Sequence, residues 1–387
     1  MRLIHTSDWH LGRTLHGESL LEHASGFLDW LLALAAGRGA DAVVVAGDVY
    51  DRAVPPPDAV AVLDRALTAF ARARIPVIMI SGNHDSAVRL GFGSGLSEAA
   101  GIHLRTRLGD VARPVVLTDD AGPVAVYGIP YLLPDAAAPA LGAERSHASV
   151  LAAAAGLIHA DAADRGIGRV VIAAHAFVTG AAPSESERDI RIGGIGDAPA
   201  GVFGPAAYVA LGHLHGPQVV GAGGSGPPVV RYAGSPLAFS FSERDHRKSV
   251  TVVDIDGGGA IGTELVPAPV PRPLREVRGR LDDLLARPDL GDLAEAWVKV
   301  VLTDPVRPAA PMERLRAAWP HTLMLDFEPE GGLVSPESDL RALAEAADPV
   351  EICGLFVEYA GGGPPDAAEQ LVLRDAVEAA QRAEALA

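Results

Sequence analysis

The chain has 387 residues, enough for two or three domains and a sizeable buried core. Apolar residues make up 49% and charged residues 21%, which excludes a mostly disordered chain, and no apolar run reaches the ~18 residues of a membrane span. A net charge of −17, from 49 acidic and 32 basic residues, excludes a protein that grips nucleic acid over its whole surface, but not one with a local cationic site.

Short, almost continuously apolar runs at Arg2–Thr6, Ala42–Ala46 and Val77–Ile80 predict strands buried on both faces. Gly17–Ala36 and Asp58–Ala73 between them read as helices, so the chain opens as β-α-β-α-β with parallel strands. The alanine-rich helix Ser149–Ala163 leads into two further strands, Val170–Ala174 and Val209–Leu211. Two hairpins follow, Gln218–Val220 with Val229–Tyr232 and Ser249–Ile255 with Ile261–Val266, and predict a meander forming a second sheet packed on the first. The proline-rich Val266–Pro273 reads as a linker. Beyond it, strands at Glu276–Leu281, Trp297–Thr303 and Thr322–Phe327 predict a small α+β module, and the chain turns helical from about Asp339, with a break at Gly361–Pro365. A single cysteine, Cys353, rules out an internal disulfide and suits a reducing compartment; with no apolar leader after Met1, a cytoplasmic protein is expected.

Each of the five parallel-type runs ends in groups able to bind metal. These are Asp8-Trp9-His10, Gly47-Asp48-Val49-Tyr50-Asp51, Gly82-Asn83-His84-Asp85, His175 and Gly212-His213-Leu214-His215. Side chains just past the carboxyl ends of strands converge on one crevice, so residues distant in sequence meet there. Singly each piece has a plain reading as a turn or a satisfied core histidine; five in one chain point to a site. Asp8, Asp48, Asn83, His10, His175, His213 and His215 include no thiolate, which suits manganese, iron or zinc. Seven ligands are too many for one tetrahedral centre and suit two ions sharing a carboxylate. Two dications against Asp8 and Asp48 leave a local surplus of about two positive charges, able to attract a phosphodiester despite the acidic whole. The chemistry that follows is metal-assisted hydrolysis of a phosphate ester.

In this order the clusters resemble the calcineurin-like metallophosphoesterase superfamily. Thr6–Arg13, Gly47–Pro56, Ser184–Arg188, Tyr232–Pro236 and Phe241–Glu243 are further similar to the SbcD family, bacterial counterparts of the eukaryotic double-strand-break repair nuclease. The resemblance implies an α/β fold: a two-sheet sandwich flanked by helices (residues 1–266), a small α+β capping module (274–330) and a helical tail (335–387). It implies a DNA nuclease, exonuclease on duplex ends and endonuclease on single-stranded or hairpin DNA, with an SbcC-type coiled-coil ATPase docking on the tail, and a homodimer. It also implies two manganese ions, one held by Asp8, His10, Asp48 and His215 and the other by Asp48, Asn83, His175 and His213, with His84 facing the scissile phosphate as proton donor. Asp51 and Asp85 are expected either to orient imidazoles or to stabilise their turns, and Arg13, Arg52, Arg89 and Arg188 either to contact DNA backbone or to form solvated surface. The remaining histidines, His5 among them, have no motif support and are expected to be structural. Two rival readings remain: a phosphatase or cyclic-nucleotide phosphodiesterase using the same site, and a non-catalytic scaffold, which all seven ligand positions argue against.

Overall fold

The computed structural model describes residues 1–187, 198–221, 228–330, 348–361 and 364–384. The chain divides into two compact units, Met1–Pro271 and Arg272–Ala387.

The first unit is built on two six-stranded sheets. Its strands are β1 (Arg2–Thr6), β2 (Thr14–Leu15), β3 (Glu18–Ser19), β4 (Ala42–Val45), β5 (Val77–Ile80), β6 (Ile102–Arg105), β7 (Val115–Asp119), β8 (Gly122–Ile129), β9 (Arg169–His175), β10 (Tyr208–Gly212), β11 (Gln218–Val220), β12 (Val229–Tyr232), β13 (Ser249–Ile255) and β14 (Ile261–Pro267). One sheet runs β14-β13-β1-β4-β5-β6 and the other β11-β12-β10-β9-β8-β7; β2 and β3 pair separately. The five anticipated buried strands are present, but three lie in one sheet and two in the other. The hairpins also separate. β11–β12 completes the second sheet through parallel pairing with β10, whereas β13 pairs antiparallel with β1 and extends the first. The expected single meander is therefore corrected: each hairpin finishes a different sheet.

Alternation explains why these strands read as apolar throughout. Ala42 and Val44 enter the core between the sheets, with Leu3, Ile78, Ile80, Val124, Val126, Val171, Ala173 and Val253. Val43 and Val45 are equally buried on the opposite face, the side of the crossover helices Leu21–Gly37 and Pro57–Ala73. The outer face of the second sheet carries the helices Pro134–Leu141 and His147–Asp164, whose Ala137, Val150, Leu151, Ala154 and Ile158 pack with Tyr127, Ile129 and Ile172. Two histidine nitrogens stitch the sheets together: His5 Nδ1 lies 2.9 Å from the Tyr208 hydroxyl and Nε2 lies 3.1 Å from the Leu211 carbonyl.

The second unit holds a parallel three-stranded sheet of β15 (Leu274–Gly279), β16 (Trp297–Leu302) and β17 (Thr322–Phe327). Leu281, Leu284, Leu293, Val298, Val300, Leu315 and Trp319 form its core. Helices Pro349–Gly361 and Ala367–Glu384 follow; the expected helical start near Asp339 lies outside the described residues. Among the described residues, no helix is long and apolar enough to cross a membrane.

Candidate metal centre

The seven predicted ligands come together at the seam between the sheets. Loops after β1, β4 and β5 bring Asp8, His10, Asp48 and Asn83 from one sheet; β9 and β10 bring His175, His213 and His215 from the other. Asp8, His10 and His215 form one buried cluster and Asp48, His175 and His213 another. Asp48 Oδ2 stands between them, 3.7 Å from His10 Nε2 and 3.5 Å from His175 Nε2. On one side His10 Nε2 faces His215 Nε2 at 3.2 Å. On the other, Asn83 Oδ1 lies 2.8 Å from His175 Nε2 and 3.2 Å from His213 Nδ1.

The backbone accepts strain to achieve this. Asp8, His10, Asp48 and His213 have φ of 54°, 43°, 50° and 112°, a region non-glycine residues rarely adopt and which costs of order 1–3 kcal/mol each. Two neighbouring glycines permit close approach. A Cβ on Gly82 would stand 2.1 Å from Asp48 Oδ1, and one on Gly212 would stand 1.9 Å from the Ala46 carbonyl oxygen. The loops are then tied down: Asp8 N donates to the Gly47 carbonyl, Asp8 accepts from His213 N, and Asp48 Oδ1 accepts from His84 N.

Most of the donors are held in the form that binds a cation, and His175 is the exception, which gives up a proton to ligate. Burial holds His10 well below its ordinary value and pushes His213 down to about 3, leaving neutral imidazoles, the form that ligates. Burial likewise raises Asp8 to about 6. Burial also opposes the charges on Asp48 and His175, but their mutual attraction outweighs it: Asp48 is held well below the carboxylate range and His175 raised to about 9. His175 Nδ1 is 2.8 Å from the Ala46 carbonyl and donates to it, so Nε2 faces the site. Buried carboxylate, amide and imidazole donors around one shared oxygen, without a thiolate, fit two hard or borderline divalent ions.

His84 belongs to a third buried group, with His10 and Asp48, and its ring is 4.6 Å from that of His10. Its Nδ1 donates to the Asp51 carbonyl at 2.7 Å, and its Nε2 is 4.0 Å from Asp48 Oδ2. The Asp51 carboxylate approaches His10 Nδ1 at 3.7 Å, so Asp51 touches two imidazoles. The bonds that Asp85 makes go to backbone amides, as in the turn-stabilising alternative. Its carboxylate accepts from Val49 N, Tyr50 N and Gly82 N at 2.8–3.1 Å and so clamps two ligand loops together. Burial, with Asp48 nearby, pushes it up to about 7.

The four arginines separate. The Arg13 side chain, 17% exposed, donates to the Ser186 carbonyl at 2.9 Å and lies over the Phe239 ring at 4.8 Å. Arg52 is exposed beside Asp51, and Arg89 donates to the Ala53 carbonyl. Arg188 lies outside the described residues. Sequence reasoning assigned no role to the groups behind His215: Ser186, Glu187, Glu243 and Lys248, with Phe239 edge-on to both His10 and His215. The Ser184–Arg188 and Phe241–Glu243 motifs were the available signal.

Comparison with known proteins agrees with this geometry. Residues 1–140 match the calcineurin-like phosphoesterase family model, and residues 270–358 match a model described as the type 5 capsule protein repressor C-terminal domain. The chain is 31% identical over 334 residues to the SbcD subunit of the SbcCD nuclease of Staphylococcus saprophyticus, covering 84% of each chain. It is 32% identical over 317 residues to the Escherichia coli K12 SbcD protein, covering 78% of each, and 36% identical over 269 residues to that of Bacillus subtilis 168, covering 67% of each. With identities above 30% across two thirds or more of its length, the chain belongs to the family of SbcD nuclease subunits, within the calcineurin-like phosphoesterases.

Proposed function

We propose that the protein hydrolyses DNA phosphodiesters with two divalent ions, most simply manganese, as an exonuclease on duplex ends and an endonuclease on single-stranded or hairpin DNA. The observation that carries this reading is the position of Asp48 Oδ2 between two donor sets drawn from both sheets. Asp8, His10, Asp48 and His215 would hold one ion, and Asp48, Asn83, His175 and His213 the other. Bound there, the ions supply Lewis-acid stabilisation of the charge that develops as the phosphate ester is cleaved.

The chain's own groups do the rest. With its Nδ1 proton committed to the Asp51 carbonyl, His84 keeps Nε2 turned inward to carry a proton to the departing sugar oxygen. Arg13 is placed near the site by the Ser186 carbonyl and the Phe239 ring, and it joins Arg52, Arg89 and Arg188 as the cations assigned to DNA backbone. Residues 274–330 are assigned to capping the DNA and 335–387 to docking an SbcC-type ATPase in the cytoplasm. Exposed Phe356, Leu371 and Val372 on the tail helices support docking. A homodimer is supported by Val88, Phe92 and Leu96, large apolar side chains left 68–86% exposed just after the Gly82–Asp85 loop.

Labelled hairpin DNA incubated with manganese, with and without the ATPase partner, tests this reading beside a nucleoside monophosphate. Hairpin cleavage with little monophosphate turnover is expected. Brisk monophosphate hydrolysis with intact DNA would favour the phosphatase reading, and inertness toward both would favour the scaffold.

A further inference from the structure

The Ser184–Glu187 and Phe241–Glu243 motifs meet behind His215, on the side away from its Nε2. Ser186 Oγ lies 2.6 Å from His215 Nδ1 and 2.5 Å from Glu243 Oε1, which is itself 3.3 Å from Nδ1. Glu243 Oε2 accepts from Lys248 Nζ, one of only two lysines in the chain. Lys248 also donates to Ser235 Oγ at 2.9 Å and to the His215 carbonyl at 3.0 Å, and Glu187 accepts from His215 N at 2.7 Å. Glu243 and Lys248 are both buried.

A hydroxyl carries one proton, and an ionised carboxylate only accepts. Ionised and paired with Lys248, Glu243 accepts the hydrogen bond that Ser186 Oγ–H donates, so Ser186 Oγ is left to accept from the imidazole. His215 is thereby fixed as the Nδ1–H tautomer, with Nε2 bare for ligation. The opposite half of the centre is built differently, since His175 Nδ1 is backed by the neutral Ala46 carbonyl. Such backing fixes the orientation of a ligating imidazole and limits its rotation.

Resting on the two-ion reading above, we propose that Ser186, Glu243 and Lys248 are positioning residues for His215. They make the half of the centre formed with Asp8 and His10 bind its ion more tightly than the Asn83–His175–His213 half.

The test titrates manganese into the stripped full-length protein, following free ion by electron paramagnetic resonance and heat by calorimetry. Wild type is expected to take up two ions in two separable steps. Glu243→Gln should weaken the tighter step by about 10–100-fold and leave the other within about twofold, and loss of the weaker step instead would overturn the proposal. Ser186→Ala leaves the buried ion pair in place and should weaken the same step, with recovery in Ser186→Thr; it decides the matter if Glu243→Gln fails to fold. Two equal steps in wild type would overturn the asymmetry. Unchanged binding in a folded Ser186→Ala protein, or equal weakening of both steps, would overturn the positioning role. Uptake of fewer than two ions by wild type would overturn the two-ion reading itself.

Discussion

Replacing His5 by glutamine measures how far the seam between the sheets depends on a neutral imidazole. His5 is 1% exposed; its Nε2 donates to the Leu211 carbonyl, and its Nδ1 accepts from Tyr208. Burial lowers it from 6.5 to about 3. Because the folded value lies below the unfolded one, the unfolded chain takes up the proton first. The stability involved is therefore fully present above pH 6.5 and is lost as pH falls from 6.5 toward 3. Each pH unit inside that window costs about 1.4 kcal/mol, so roughly 2.7 kcal/mol is gone by about pH 4.5 and about 5 kcal/mol below about pH 3. Glutamine can donate to Leu211 and accept from Tyr208 but does not titrate. Urea unfolding of the metal-free wild type and His5→Gln, at about pH 7.5 and 4.5, should show wild type losing roughly 2.7 kcal/mol more than the variant in the transition of the larger unit. Groups common to both proteins cancel in that difference. Parallel pH curves would refute the reasoning.

Other expectations concern the centre directly. Asp48→Ala should abolish binding of at least one ion, read as metal content after dialysis; two ions retained tightly would contradict the bridging assignment. His84→Ser should keep both ions but lose most turnover on a phosphodiester, and full activity would remove the proton-donor role. Gly212→Ala forces a Cβ against the Ala46 carbonyl oxygen and should destabilise the first unit by about 2 kcal/mol or more, seen as a lowered urea midpoint. Deleting Asp366–Ala387 should weaken co-purification with an SbcC-type ATPase while a small phosphodiester is still cleaved.

The ligands were legible because each follows an apolar strand, and strand ends collect at one edge of a sheet. What the sequence concealed was which sheet each strand joins. β13 lies more than two hundred residues from β1 yet pairs with it, and no local pattern announces such a partner. β6, β7 and β8 went unanticipated: β6 ends in Arg105, β7 alternates at the edge, and β8 opens on Gly122-Pro123. Asp85 illustrates a different limit. A carboxylate beside a histidine motif reads equally as an imidazole partner or a turn stabiliser, and its three amide partners are fixed only by the folded loops. Ser186, Glu243 and Lys248 were hidden for the same reason, since their meeting point exists only once β10 and the segment before β13 are in place.

Each donor set draws on both layers of the sandwich, so an ion seated in either half would rivet one layer to the other. Its binding energy would then add directly to the cohesion of the domain. A protein starved of metal should therefore open first along the plane where its chemistry is done, and heating the loaded form should release ions and part the layers in one event.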